Sequence, residues 1–157
     1  MTKTNAMRLL DLKKINYKVK YYEIDEIRFF GAQAIDKLDM DADCIFKTLV
    51  TKGDKNGINI FCIPANAHLD LKKAAKITHN KKIEMVHAKQ VYTITGYMVG
   101  ACSPIGMKKL YPTFIDESAI LFDEIGISGG LRGCELILKT QDLCTYTDAQ
   151  YADLTEF

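Results

Sequence analysis

The chain has 157 residues, a length that one hydrophobic core can organise. Hydrophobic residues make up 48% and charged residues 26%, which excludes a disordered tail and fits an ordinary globular protein. The net charge of +1 supplies no global field for nucleic acid, so any such contact must come from a local patch.

The opening residues 1–8 lack an apolar signal core, and no run approaches membrane-spanning length. Thr4 or Asn5 can cap a first helix with Ala6, Leu9 and Leu10 on one face, ending near Asn16. Tyr17, Val19 and Tyr21 alternate with polar neighbours and predict a half-buried strand. Residues 23–28 are charged and read as a loop. Phe29, Phe30 and Gly31 then precede a helix carrying Ala32, Ile35 and Leu38.

Residues 45–51 read as the first central strand. Lys47 shares a face with Ile45, Leu49 and Thr51, so it either snorkels from an edge strand or points into a cavity. Gly53 to Gly57 is a hairpin turn, and residues 58–63 return antiparallel until Pro64 ends the strand. Asp70 can cap a short helix over 71–77 with Leu71, Ala74 and Ala75 inward. Lys72, Lys73, Lys76, Lys81 and Lys82 form the densest basic cluster, a solvated helix face or a nucleic-acid contact. A short strand at 83–86 and a helix at 88–93 follow. Strands are expected at 113–116, 124–127 and 134–138, then a helix capped by Thr140 and a tail segment at 149–154. Short strands mixed with short helices, without long parallel crossovers, predict a single α+β domain over residues 1–157 with a curved mixed sheet.

Two glycine-rich stretches stand apart from this pattern. Gly96, Gly100 and Gly106 punctuate a run containing Ala101, Cys102, Ser103 and Pro104, with Lys108 and Lys109 after it. Ser128, Gly129, Gly130, Leu131, Arg132 and Gly133 form the second. Tight turns would need such glycines; so would a site built from main-chain N–H donors.

The chemistry of conventional sites is missing. The five cysteines, Cys44, Cys62, Cys102, Cys134 and Cys144, are widely spaced with no Cys-x-x-Cys, and the three histidines are scattered. A reduced, metal-free, cytoplasmic protein with no cofactor and no membrane partner is expected. Cys102 has no histidine near it in sequence to activate a thiol, and Ser103 is not in a Gly-x-Ser-x-Gly elbow. What remains is a lysine on a strand, two loops of backbone donors, hydroxyls and Arg132. That set suits a phosphate or a developing oxyanion, as in hydrolysis of an activated ester.

Three blocks in this order resemble the YbaK/EbsC family, relatives of the editing domain inserted in bacterial prolyl-tRNA synthetases. They are residues 46–49, residues 95–106 with Lys108 and Lys109, and residues 128–133. The resemblance extends to the opening helix with Tyr21 and Tyr22, and to the lysine-rich runs at 69–76 and 81–85. It implies a compact domain with a β-barrel-like mixed sheet and flanking helices. It also implies trans-editing aminoacyl-tRNA deacylation, with Cys-tRNA(Pro) as the substrate of the YbaK branch.

By the same resemblance the family's essential lysine falls on Lys47, beside Thr48. Tyr22 and Phe30 match an aromatic pair of the binding site. The loop from Gly100 to Gly106, with Ala101, Cys102, Ser103 and Pro104, supplies backbone donors, and Ser128, Gly129, Gly130 and Arg132 supply the second loop. Lys47 then orients the acyl-adenosine end and is not a base. The substrate's own thiol attacks its ester, and Cys102 is a pocket thiol, not the attacker. The basic run and Lys108 and Lys109 become tRNA-backbone contacts, and prolyl-tRNA synthetase becomes a candidate partner. Met107 and Leu131 depart from the polar residues common in the family and bear on substrate choice. A deacylase for another small amino acid such as alanine, and a silent aminoacyl- or nucleotide-binding module, stand as alternatives.

Overall fold

The computed structural model describes residues 2–24 and 37–156. Thr4 caps the first helix, α1 (Asn5–Leu12), its Oγ1 accepting from the Met7 N–H at 3.3 Å. The helix stops earlier than its pattern suggested, and the turn after Leu12 leads into β1 (Tyr17–Tyr21). A 3₁₀ turn (Ala42–Cys44) precedes β2 (Phe46–Gly53) and β3 (Gly57–Pro64), an antiparallel hairpin with Phe46 opposite Pro64 and Gly53 opposite Gly57. The turn is pinned from outside: Asp54 Oδ1 accepts from the N–H groups of Lys81 and Lys82, and Asn80 Oδ1 accepts from that of Lys55.

Next come α2 (Leu71–Ile77), β4 (Ile83–Met85), α3 (Ala88–Thr95) and β5 (Thr113–Asp116). Asp70 caps α2 as expected, accepting from Lys72 and Lys73 N–H. Leu71, expected inward, is 41% exposed, because α2 turns Ala74 and Ala75 to the core instead. After a 3₁₀ turn (Glu117–Leu121) follow β6 (Glu124–Ser128), β7 (Cys134–Lys139), α4 (Thr140–Thr147) and β8 (Gln150–Ala152). Lys139, not Thr140, stands at the N-cap of α4. The Thr140 hydroxyl donates to the Phe122 carbonyl at 2.7 Å. Phe30 and most of the helix expected after Gly31 lie outside the described residues.

The mixed sheet expected from sequence is divided in two. One sheet is antiparallel, in the order β1-β7-β6. The other runs β4-β2-β3-β5-β8, with β3, β5 and β8 parallel. Ile45 and Gly126 join them through an isolated parallel bridge, so the two sheets curve toward each other without closing a barrel. The larger core packs α1 and α4 on the three-stranded sheet through Met7, Leu10, Ile125, Ile127, Leu136, Leu138 and Leu143. The smaller lies on the other sheet, where Phe61 and Phe114 stack at 5.4 Å.

Candidate functional site

Strand β4 pairs with β2 only at Thr51 to Gly53. The N-terminal half of β2 therefore has β3 on one side and no strand ladder on the other. A cavity of about 610 Å³ opens there, lined by Ile45, by residues 46–50 of β2, and by Met85, Val86, Ala88 and Val91. Val99, Gly100 and Cys102 of the first glycine loop close one end. Tyr22, Ser128 and Glu135 line it from the three-stranded sheet and its exits, and Ala65 and His68 from the segment after β3.

Lys47 is half-buried on this wall. Among the described residues it makes no ion pair or hydrogen bond, and burial alone lowers its pKa from the usual lysine value. Glu135 lines the same cavity and is only 4% exposed. Its Oε2 has no hydrogen-bond partner, and burial pushes its pKa up to about 8. The two groups do not pair with each other. The cavity thus carries one unpaired cationic side chain and one unpaired carboxyl at separate points in a mostly apolar lining.

The two glycine loops are fastened together. Ser128 Oγ donates to the Ala101 carbonyl at 2.9 Å, and Arg132 Nε donates to the Val99 carbonyl at 2.9 Å. Tyr97 lies beneath both. Its hydroxyl donates to the Ile105 carbonyl, and a Cβ on Gly130 would stand 2.9 Å from its ring. A Cβ on Gly106 would likewise stand 2.8 Å from the Tyr97 hydroxyl, so both glycines are required by packing around this ring.

Chain comparison places this geometry among known proteins. The model of the aminoacyl-tRNA editing domain matches residues 31–146. The chain belongs to that family. A curated Enterococcus faecalis relative, EbsC, named as a candidate Cys-tRNA(Pro)/Cys-tRNA(Cys) deacylase, is 42% identical over 98% of this chain and 93% of its own. A solved structure described as a candidate trans-editing enzyme for prolyl-tRNA synthetase superposes with a TM-score of 0.83. It is 25% identical and covers all of both chains. The structure of a hypothetical protein with 19% identity shares the fold, with a TM-score of 0.87 over 98% of this chain and all of the other.

Of the residues singled out in the sequence, this editing domain gathers Tyr22, Lys47, Thr48, Gly100, Cys102 and Ser128 around the cavity. Ala101, Ser103, Pro104, Gly106, Gly129, Gly130 and Arg132 do not line it. Ser103 is fully buried, its Oγ accepting from the Ile105 N–H at 3.3 Å. The N–H groups expected as donors in the second loop are taken: Gly129 donates to the Cys134 carbonyl and Gly130 to Ser128 Oγ. In the first loop the Ala101 N–H is bound to the Met98 carbonyl, whereas those of Gly100, Cys102 and Gly106 have no bond among the described residues.

Glu135, His68 and Val91 escaped sequence reading. Glu135 sits in a strand whose Cys134, Leu136 and Leu138 point to the core, so it reads as the polar half of an alternation. The one signal was that its neighbour on the same face, Ile137, is apolar. Among the described residues, no His, Cys, Asp or Glu side chains group as a metal site.

Proposed function

We propose that this editing domain is a trans-acting aminoacyl-tRNA deacylase that clears cysteine wrongly attached to tRNA(Pro). The observation carrying this reading is Lys47, an unpaired half-buried cation on the wall of a cavity of about 610 Å³. A site of that size fits the 3′ end of a tRNA with its amino acid, and Lys47 supplies a fixed positive charge for the terminal nucleotide. The 42% identity to EbsC, named for Cys-tRNA(Pro) and Cys-tRNA(Cys), supports the acyl group.

Among the described residues the lining offers no activated protein nucleophile. The Ser128 hydroxyl is spent on the Ala101 carbonyl, and Thr48 Oγ1 lies 3.9 Å from Cys62 Sγ with no base beside it. Burial raises the Cys102 thiol, which keeps it protonated. The attacking group is then the substrate's own thiol, held near its ester carbonyl by the cavity, so proximity does most of the work. The thiol's sulfur forms a bond to the carbonyl carbon, the tRNA 3′ oxygen leaves with the proton, and the product is a cyclic thiolester. An oxyanion donor is supplied in this reading by the Gly100 N–H, which lines the cavity and has no bond among the described residues. Prolyl-tRNA synthetase as a partner and a cytoplasmic setting belong to the same proposal.

The test is release of amino acid from Cys-, Ser- and Ala-tRNA(Pro) by the wild-type protein and Lys47→Ala. Fast loss of the cysteinyl ester alone, abolished in the variant, is expected. Serine has the same shape with a weaker nucleophile, so equal clearance of Ser-tRNA(Pro) would rule out thiol self-attack. Loss of the alanyl ester would reassign the acyl group, and no turnover would leave a binding module.

A further inference from the structure

The cavity holds a second group that the reaction above does not use. Glu135 projects from β7 on the side away from the main core, opposite Ser128 of β6 and the half-buried Lys20 of β1, and it lines the cavity together with Tyr22 and Ser128. Its Oε2 is buried and unpartnered, a costly arrangement that calls for an explanation such as a bound donor. The fold makes room for it. Gly126, across the β6–β7 ladder, would place a Cβ 3.0 Å from Oε2, and its backbone is not in the left-handed region. Space for the carboxyl, not backbone freedom, is therefore what the glycine provides.

A free carboxyl oxygen needs a donor. Of the groups at an aminoacylated 3′ end, phosphates and carbonyls cannot donate. The α-ammonium, the ribose 2′-hydroxyl, the adenine amino group and, weakly, the cysteine thiol can. Only the α-ammonium brings a positive charge, and a charge-assisted bond is about twice as strong as a neutral one. Glu135 holds its proton in the empty cavity and gives it up when a cation arrives, so Lys47 and the ionised Glu135, set apart, complement a ligand carrying an anion at one end and a cation at the other.

We propose that Glu135 receives the α-ammonium group of the aminoacyl ester and so fixes which way the amino acid lies in the cavity. This rests on the deacylase reading for the identity of the ligand. It makes Glu135 a binding residue that selects free aminoacyl groups over N-blocked ones. Peptidyl- and formylaminoacyl-tRNA, which lack the cation, are left untouched.

The test uses two stable amides, 3′-deoxy-3′-(cysteinylamino)adenosine and its counterpart with 3-mercaptopropionyl in place of cysteinyl, which lacks only the amine. Binding of each to the wild-type protein, Glu135→Gln and Glu135→Asp is measured by calorimetry. Removing the amine is expected to weaken binding to the wild type by about 10- to 100-fold. In Glu135→Gln it should matter by less than about threefold, and Glu135→Asp, one carbon shorter, should fall between; should the glutamine variant not fold, the aspartate variant decides. An amine effect of equal size in all three proteins, or none in the wild type, overturns the assignment. So does a 2′-deoxy analogue that abolishes the dependence on Glu135 in place of the desamino one. Amine preference without turnover of Cys-tRNA(Pro) would sink the deacylase reading and keep Glu135. Turnover without amine preference would do the reverse, and failure of both amides to bind the wild type sinks both.

Discussion

A methyl group on Gly126 would stand 3.0 Å from Glu135 Oε2, closer than a side chain ordinarily tolerates. Gly126→Ala is accordingly expected to destabilise the protein by about 1–3 kcal/mol through the displaced carboxyl. Glu135→Ala should relieve most of that loss, so the two substitutions will be strongly non-additive in denaturant melts. Additive losses would mean that the glycine answers to some other neighbour.

Glu135 also makes stability depend on pH. Its carboxyl titrates near 4.5 when unfolded and at about 8 in the folded protein. Between those values the folded state keeps a proton that the unfolded chain has released. The contribution is complete below about pH 4.5 and is lost as pH rises through about 8. Tyr22 and Cys134 feel its charge, and both are themselves held above their usual range mainly by burial. Wild-type stability should fall relative to Glu135→Gln by about 3–5 kcal/mol between pH 4.5 and 8. Parallel pH profiles of the two melting temperatures would contradict this.

Lys47→Ala is expected to lower kcat/KM for Cys-tRNA(Pro) by about 100-fold or more while leaving the melting temperature unchanged or raised. Burial depresses the lysine's pKa, so the folded state resists its charge, and removing it takes away a small penalty at neutral pH. A variant that lost activity together with stability would point to a structural role.

Tyr97→Phe leaves the buried Ile105 carbonyl without its donor. The expected loss is about 1–2 kcal/mol, along with slower deacylation, because the lost hydroxyl bond to Ile105 helps hold the first glycine loop. Measuring kcat separately from KM distinguishes a loosened wall from lost affinity.

The basic surface divides unevenly. Lys73 is tied to Asp153 at 3.0 Å and to the Thr155 carbonyl at 2.8 Å, and Lys82 pairs with Glu84 at 2.9 Å. Lys108 lies 5.4 Å from the Tyr92 ring centroid and Lys109 is exposed, both close to the first loop. Lys108→Gln with Lys109→Gln should weaken tRNA binding and flatten its salt dependence by roughly one unit of slope for each lysine resting on a phosphate. The same change at Lys73 should act on stability instead.

Much of the frame was legible in the sequence because it is written locally. Asp70 and Thr4 announce their helices by capping chemistry, and Gly53 and Gly57 announce their hairpin. Lys47 stood out as a charge among aliphatics on one strand face. The division into two sheets was not legible, since it depends on which distant strands pair: β1 finds β7, and β8 lies parallel to β5. The glycine loops misled in detail for a similar reason. Their composition advertised free N–H groups, but whether an N–H is free depends on partners such as the Cys134 carbonyl and Ser128 Oγ. Glu135 was hidden by a strand pattern that also describes a solvent-facing carboxylate.

The chain's last described residues reach back to the cavity. Leu154 N–H donates to Asp116 Oδ1, the Asp70 N–H donates to the Leu154 carbonyl, and the Glu156 N–H donates to the carbonyl of His68, a lining residue. The cavity therefore draws on Tyr22 near one end of the chain, on Glu135 far along it, and on a strap tied after that. A fragment that stops before Glu156 lacks the strap, and one that stops before Glu135 also lacks that carboxyl. Editing is therefore expected to wait until segments far apart in sequence, from Tyr22 to the strap at Glu156, have docked together.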